Sequence, residues 1–181
     1  NAGTIAVTVD GTAVSTVTKT AIDGGYKCTC TSPTLKDGSH TISVKASDND
    51  GNAAAAKTAT FTVDTVPPTL QITAPSNDLI TNKKTVTVSG KTDDVSSKPV
   101  TVTVNGATVT VGTDGTFTKD VTLAEGANTI TIVAKDKAGK TTTVTRKVTV
   151  DTSAPVIKSV TLTPNPVDCG KTFIIAVEIT D

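Results

Sequence analysis

Tryptophan and methionine are absent from this 181-residue chain, and aromatic side chains make up only 2% of it, as Tyr26, Phe61, Phe117 and Phe173. A core built without large rings must be thin and aliphatic, as in small sandwich modules rather than large enzymes. An excess of either charge is missing too, since 17 Lys and Arg balance 17 Asp and Glu. With no basic stripe, nothing favours electrostatic capture of nucleic acid or of an anionic membrane. No apolar run approaches the about 20 residues that a bilayer-spanning helix needs, so membrane insertion is not expected. No leader pattern follows Asn1, so the sequence reads as a mature or excised form.

Reactive side chains are few. His40 is the only histidine and stands beside Asp37 and Ser39 in a turn. A nucleophilic triad needs its members on converging elements, so His40 is expected to be a solvated turn residue. Phosphate-binding glycine loops are lacking, and Asp93 and Asp94 lie in an acidic loop rather than a cleft; no enzyme is expected. Of the three cysteines, Cys28 and Cys30 form a C-x-C pair that lacks the second ligand pair of a zinc site.

Thr and Val dominate instead, and both favour a pleated, half-buried backbone. The chain also repeats itself. Residues 34–51, TLKDGSHTISVKASDNDG, match residues 122–139, TLAEGANTITIVAKDKAG, and FTVDTVPP ending at Pro68 matches VTVDTSAP ending at Pro155. Asp64 and Asp151 lie 87 positions apart, a size suited to a seven-strand sandwich of about 100 residues. Residues 5–11, IAVTVDG, match 100–106, VTVTVNG, and both end in dipeptides that form hairpin turns.

The middle unit, residues 67–152, reads as complete: strand A at 70–73, B at 85–89, C at 100–104, C′ at 107–111, E at 117–123, F at 128–134 and G at 142–150. Residues 1–66 hold only C to G of a first unit. Residues 153–181 hold only A and B, because 160–163 align with 70–73 and 171–181 with 84–94. Joining Asp181 to Asn1 gives ITD-NAG-TIAVTVDG, which follows TDD-VSSKP-VTVTVNG of the middle unit. The terminal units therefore read as two halves of one domain.

The stretches DGGY at 23–26, LKDGSHTI at 35–42, ASDNDGN at 46–52 and VDTVPP at 63–68 resemble the tandem bacterial immunoglobulin-like repeats of surface adhesins and phage fibre proteins. The resemblance covers nearly the whole chain, and departs where Tyr26 or Phe117 replaces the family's tryptophan and where the terminal units are split. It implies an all-β fold of tandem Ig-like β-sandwiches, at a cell or virion surface, acting as spacer, stalk or fibre. It also implies calcium at module junctions in some members.

Acidic loops point to the same chemistry. In this topology the B–C and F–G loops lie at the pole where the preceding module joins, so Asp64 is expected near Asp93, Asp94 and Asp136. At the other junction Asp151 is expected near Asp181 and, if the halves join, near Asp48, Asp50 and Asn52. Converging carboxylate and amide oxygens suit a hard cation such as calcium, although Asp and Asn also serve turn geometry alone. The Asp151 junction is expected to be the stronger site, because Lys137 and Lys140 dilute the charge at the first.

The chain ends in CGKTFIIAVEITD, where Phe173, Ile175, Val177 and Ile179 alternate with their neighbours as a strand would. These four are expected to enter the incomplete first unit of another copy, giving a head-to-tail homopolymer by strand complementation. Parity turns Cys28 and Cys30 inward on strand E and Cys169 inward at the start of B, with B and E antiparallel neighbours. A disulfide between subunits from Cys169 to Cys30, with Cys28 as second choice, is the expected covalent lock. The alternatives are a stalk or binding segment of an adhesin or virion fibre, meeting a receptor or glycan, and an accessory domain of a carbohydrate-active enzyme, for which no aromatic platform exists.

Overall fold

The computed structural model describes residues 2–163, 165–166 and 168–181, and every regular element in it is a β-strand. The first unit's expected bound at Asn1 lies outside the described residues. Six strands precede Asp64: β1 (Ala2–Val9), β2 (Thr12–Ala13), β3 (Val17–Ile22), β4 (Gly25–Cys30), β5 (Gly38–Asp48) and β6 (Lys57–Val63). Eight form the middle unit: β7 (Thr69–Ala74), β8 (Leu79–Thr81), β9 (Thr85–Asp93), β10 (Thr101–Val104), β11 (Ala107–Val109), β12 (Thr116–Thr122), β13 (Gly126–Lys135) and β14 (Thr141–Val150). Strands β15 (Val156–Thr163) and β16 (Ile174–Thr180) follow.

The middle unit is a sandwich of a three-stranded sheet, β12-β9-β7, and a five-stranded sheet, β11-β10-β13-β14-β8. Its core follows from period-two alternation: Ile130, Ile132 and Ala134 of β13 are fully buried, with Thr131 and Val133 between them only half-buried. They meet Val102, Val104 and Val148 of the same sheet and Val88 and Phe117 of the other in one cluster. Glycine makes room for the single core ring. A Cβ on Gly90 would stand 2.5 Å from the Gln71 carbonyl oxygen and 2.8 Å from Phe117 Cζ.

One strand escapes the sequence pattern. β7 pairs antiparallel with β9, whereas β8 crosses to the other sheet and runs parallel to β14. Pro75 separates the two pieces, and three residues are too few for β8 to show a period. Arg146 of β14 ties the crossing, donating from Nε to the Pro75 carbonyl at 3.1 Å and from Nη2 to the Ile72 carbonyl at 3.3 Å. Arg146→Ala removes both donors from half-buried acceptors and is expected to cost about 1–3 kcal/mol. A lower urea midpoint at unchanged slope would register it.

The first unit repeats part of this plan. β2-β1-β5-β6 form a four-stranded sheet matching β11-β10-β13-β14, and β3 pairs with β4 as a separate hairpin. The turns Asp10–Gly11 and Asn105–Gly106 share positive φ angles, 50° and 79° against 48° and 80°, as type I′ hairpins require. Packing differs, because Ile42, Val44 and Ala46, the repeat counterparts of Ile130, Ile132 and Ala134, are only half-buried. β15 and β16 pair antiparallel, with Val160 opposite Val177 and Leu162 opposite Ile175, and pair with no further strand among the described residues.

Candidate functional site

Three chain reversals bring carboxylates to the junction between the units. Asp64 begins the linker after β6, Asp94 follows β9 in the B–C loop, and Asp136 follows β13 in the F–G loop. One carboxylate oxygen from each lies within 4.8 Å of the others. The residues are 8%, 6% and 5% exposed. Backbone donors hold one oxygen of each: Val66 N–H to Asp64 Oδ1 at 3.1 Å, Ser96 and Ser97 N–H to Asp94 Oδ1 at 2.8 and 2.7 Å, and Lys140 N–H to Asp136 Oδ1 at 2.8 Å. Ser97 then fastens the two loops together, accepting Ala138 N–H on its hydroxyl at 2.9 Å and Lys137 N–H on its carbonyl at 3.1 Å.

What remains is unbalanced. Asp64 Oδ2 and Asp136 Oδ2 are buried and have no hydrogen-bond partner among the described residues. Unit charges about 5 Å apart repel by about 3 kcal/mol at an effective dielectric of about 20, and burial adds a desolvation cost. Lys137 and Lys140 do not relieve it, since neither ammonium forms an ion pair with these carboxylates among the described residues. The residues fit a hard cation with oxygen ligands, for which preset carboxylates with free lone pairs are the usual donors.

The other candidates lie elsewhere. Asp93, one residue from the cluster but on the outer face of β9, pairs with Lys98 at 2.8 Å, which holds its carboxyl below the usual value. Asp48 is already satisfied: Oδ1 accepts Asp50 N–H at 3.0 Å and Asn52 N–H at 2.8 Å, while Oδ2 accepts the Asn52 amide at 2.8 Å. The Asn52 side chain is the main reason its carboxyl lies low. Asp48 and Asp136 are repeat counterparts, as are Asn52 and Lys140. Where asparagine fills the second oxygen in one unit, lysine leaves it empty in the other. Asp50, Asn52, Asp151 and Asp181 are exposed, and no carboxylate cluster forms around Asp151 among the described residues.

Cys30 and Cys169 are exposed, Cys28 is half-buried, and all three are free thiols. Cys28 and Cys30 share a side of β4, opposite Lys19 and Val17 of β3, and that hairpin pairs with no further strand among the described residues. Ile175, Val177 and Ile179 of β16 are 58%, 48% and 60% exposed, and Phe173, just ahead of the strand, 47%. The expectation for His40 is corrected. Its side chain is 12% exposed and both ring nitrogens are engaged, by Asp10 Oδ2 at 2.6 Å and the Lys36 carbonyl at 2.8 Å. The shortened distance between the β1–β2 turn and the loop before β5 brings Asp10 to it, a long-range pairing that the local pattern does not reveal.

Residues 1–65 match the family model of the bacterial Ig-like domain, and residues 68–152 match that of glucodextranase, domain B. Each unit thus matches a family model of its own, the first that of the bacterial Ig-like domain, and both share the all-β, Ig-like fold. Bacillopeptidase F of Bacillus subtilis (strain 168) is 32% identical over 140 residues, 77% of this chain but 9% of that protein's length. The chain thus spans a small part of the curated relative it matches. Among solved structures, the fibronectin(III)-like modules of Clostridium thermocellum CbhA are 18% identical, with TM-score 0.46 over 81% of this chain and 77% of theirs. A tetra-tandem repeat from the extending region of a large adhesion protein is 22% identical, with TM-score 0.41 over 96% of this chain and 54% of its own.

Proposed function

We propose that this chain is a spacer segment of an extracellular structural or adhesive protein, in which calcium locks the junction between the two units. The observation that carries this reading is the pair of buried, partnerless oxygens on Asp64 and Asp136, beside Asp94. Asp64 belongs to the linker, and Asp94 and Asp136 to the pole of the second unit. An ion held by all three ties the linker to that pole and turns a hinge into a rod. Calcium suits the site better than magnesium, which demands near-ideal octahedral geometry and gives up its waters reluctantly. Extracellular modules commonly bind calcium at about 0.1–1 mM, a concentration available outside cells.

The sign of the effect depends on the ion. At 100 times its dissociation constant, calcium should stabilise the chain by about 2.7 kcal/mol, reversibly with EDTA. Asp136→Asn should abolish that gain, yet in EDTA it should unfold later than the parent, because it removes one of three repelling charges. Asp50→Ala, outside the cluster, should leave the calcium response intact. Thermal unfolding that is identical in calcium and in EDTA would reject the reading.

A second reading is favoured by one specific observation. Ile157, Val160, Leu162, Ile175, Val177 and Ile179 share one face of the β15–β16 hairpin and are 44–63% exposed. In the middle unit the matching pair, β7–β9, covers the β10-β13-β14 sheet. By this reading the hairpin of one copy covers the β1-β5-β6 sheet of another, and copies join head to tail.

A further inference from the structure

The two units solve one local problem differently. In the middle unit, Asn128 pins the turn before β13: its amide nitrogen donates to the Ala124 and Gly126 carbonyls, each at 2.8 Å, and its oxygen accepts Ala124 N–H at 3.0 Å. Asn105, in the β10–β11 turn, separately accepts Thr131 N–H at 2.8 Å. Neither side chain titrates. In the first unit the same posts hold His40 and Asp10. His40 Nε2 meets the carbonyl of Lys36, the counterpart of Ala124, and Asp10 Oδ1 accepts Thr41 N–H at 2.8 Å.

Register explains why only the first pair meets. β1 sets Val9 opposite Ile42, whereas β10 sets Val104 opposite Ile132. The repeat aligns Ile42 with Ile130, so the β1–β2 turn sits two residues nearer to the loop before β5 than its counterpart does to the loop before β13. Asp10 Oδ2 can therefore reach His40 Nδ1 at 2.6 Å.

A carboxylate and a carbonyl accept but do not donate. Both imidazole nitrogens must then carry protons, and only the imidazolium satisfies both partners. Among the described residues the charged group facing His40 is Asp10, from the β1–β2 turn. The loop before β5 offers the Lys36 carbonyl, Asp37 is engaged by Thr65 N–H and hydroxyl at 3.0 and 2.9 Å, and β6 offers the Phe61 ring with its centroid at 5.5 Å. The Lys36 ammonium forms no ion pair among the described residues.

We propose that the Asp10–His40 pair is a pH-operated latch that closes the loop before β5 against the β1–β2 turn when His40 is protonated. The latch bears on the junction through one step of chain. Lys36, gripped by His40, precedes Asp37, whose carboxylate holds Thr65 beside Asp64. The bond to Asp10, then that to Lys36, raises the His40 pKa above 6.5, and the same bond to His40 is the first cause that lowers Asp10. A raised histidine contributes its stability fully below the ordinary value of 6.5 and loses it as pH climbs through the folded value. The Asp10 half fails only in acid, below the ordinary carboxylate value of 3.8.

Because His40 is the only histidine, its Cε1–H resonance in the full chain is unambiguous. It should titrate above 6.5, and amide exchange at Thr41 and Thr65 should rise beyond the usual base-catalysed slope across the same interval. Asp10→Asn keeps an acceptor for Thr41 N–H, as Asn105 does for Thr131, and should return the titration towards 6.5. His40→Asn, copying Asn128, should remove the pH step while keeping the loop closed. A native midpoint at or below 6.5, an unmoved midpoint in Asp10→Asn, or the same step in His40→Asn would each overturn the latch.

Discussion

Ile130→Ala should unfold the second module several kcal/mol more easily, whereas Ile42→Ala, at the matching place in the first, should cost far less. Both are isoleucines at one position of the repeat, on strands with the same alternation. Ile130 is fully buried between two sheets, while Ile42 is only half-buried on the β2-β1-β5-β6 sheet. Truncating a packed aliphatic side chain removes its transfer energy and leaves a cavity, about 2–5 kcal/mol for isoleucine to alanine. Where neighbours are missing, no cavity forms and only part of the transfer energy is lost. Chemical denaturation of the full chain should show two transitions if the modules unfold separately. The Ile130 variant should move the more stable one and the Ile42 variant the less stable one. Equal costs at the two sites would mean that the first module acquires a full core in solution.

The contrast also marks how far the sequence is legible. Strand positions in the middle module follow from alternation because one face of each strand is buried, so Thr–Val runs print the fold directly into the text. Repeat matching extended this to the first module, where the Asp10–Gly11 and Asn105–Gly106 turns agree. Three things did not print. β8 is too short to carry a period and pairs in parallel with a strand more than 60 residues away. The junction carboxylates could be named as a group, but that Asp136 Oδ2 is left without a partner depends on Lys140 standing where the first unit has Asn52. The meeting of Asp10 with His40 depends on a two-residue register difference between homologous strand pairs, which neither strand's own pattern contains.

Purified chains that associate through the β15–β16 face should form concentration-dependent multimers, and Ile175→Asp with Val177→Asp should abolish them. A two-stranded hairpin is marginally stable on its own in water, so this one gains from any sheet that covers it. Fully burying an aliphatic side chain is worth about 1.5–3 kcal/mol. The six on this face are already partly covered, so the gain is closer to half of that each. The sum, about 5–9 kcal/mol, is comparable to the about 4–15 kcal/mol lost in translational and rotational freedom on association. Apolar contact alone therefore gives a reversible joint, and a covalent bond is what would make a fibre of it. Cys30 and Cys169 are exposed and free to form that bond between copies, with Cys28 as the less accessible choice. A denaturing gel without reductant should show a ladder that collapses to monomer with thiol and is absent in Cys169→Ser. Monomer in sedimentation at every concentration, with a single band in both gel lanes, would reject self-association. It would assign the covering layer of the first module to other residues of a longer chain.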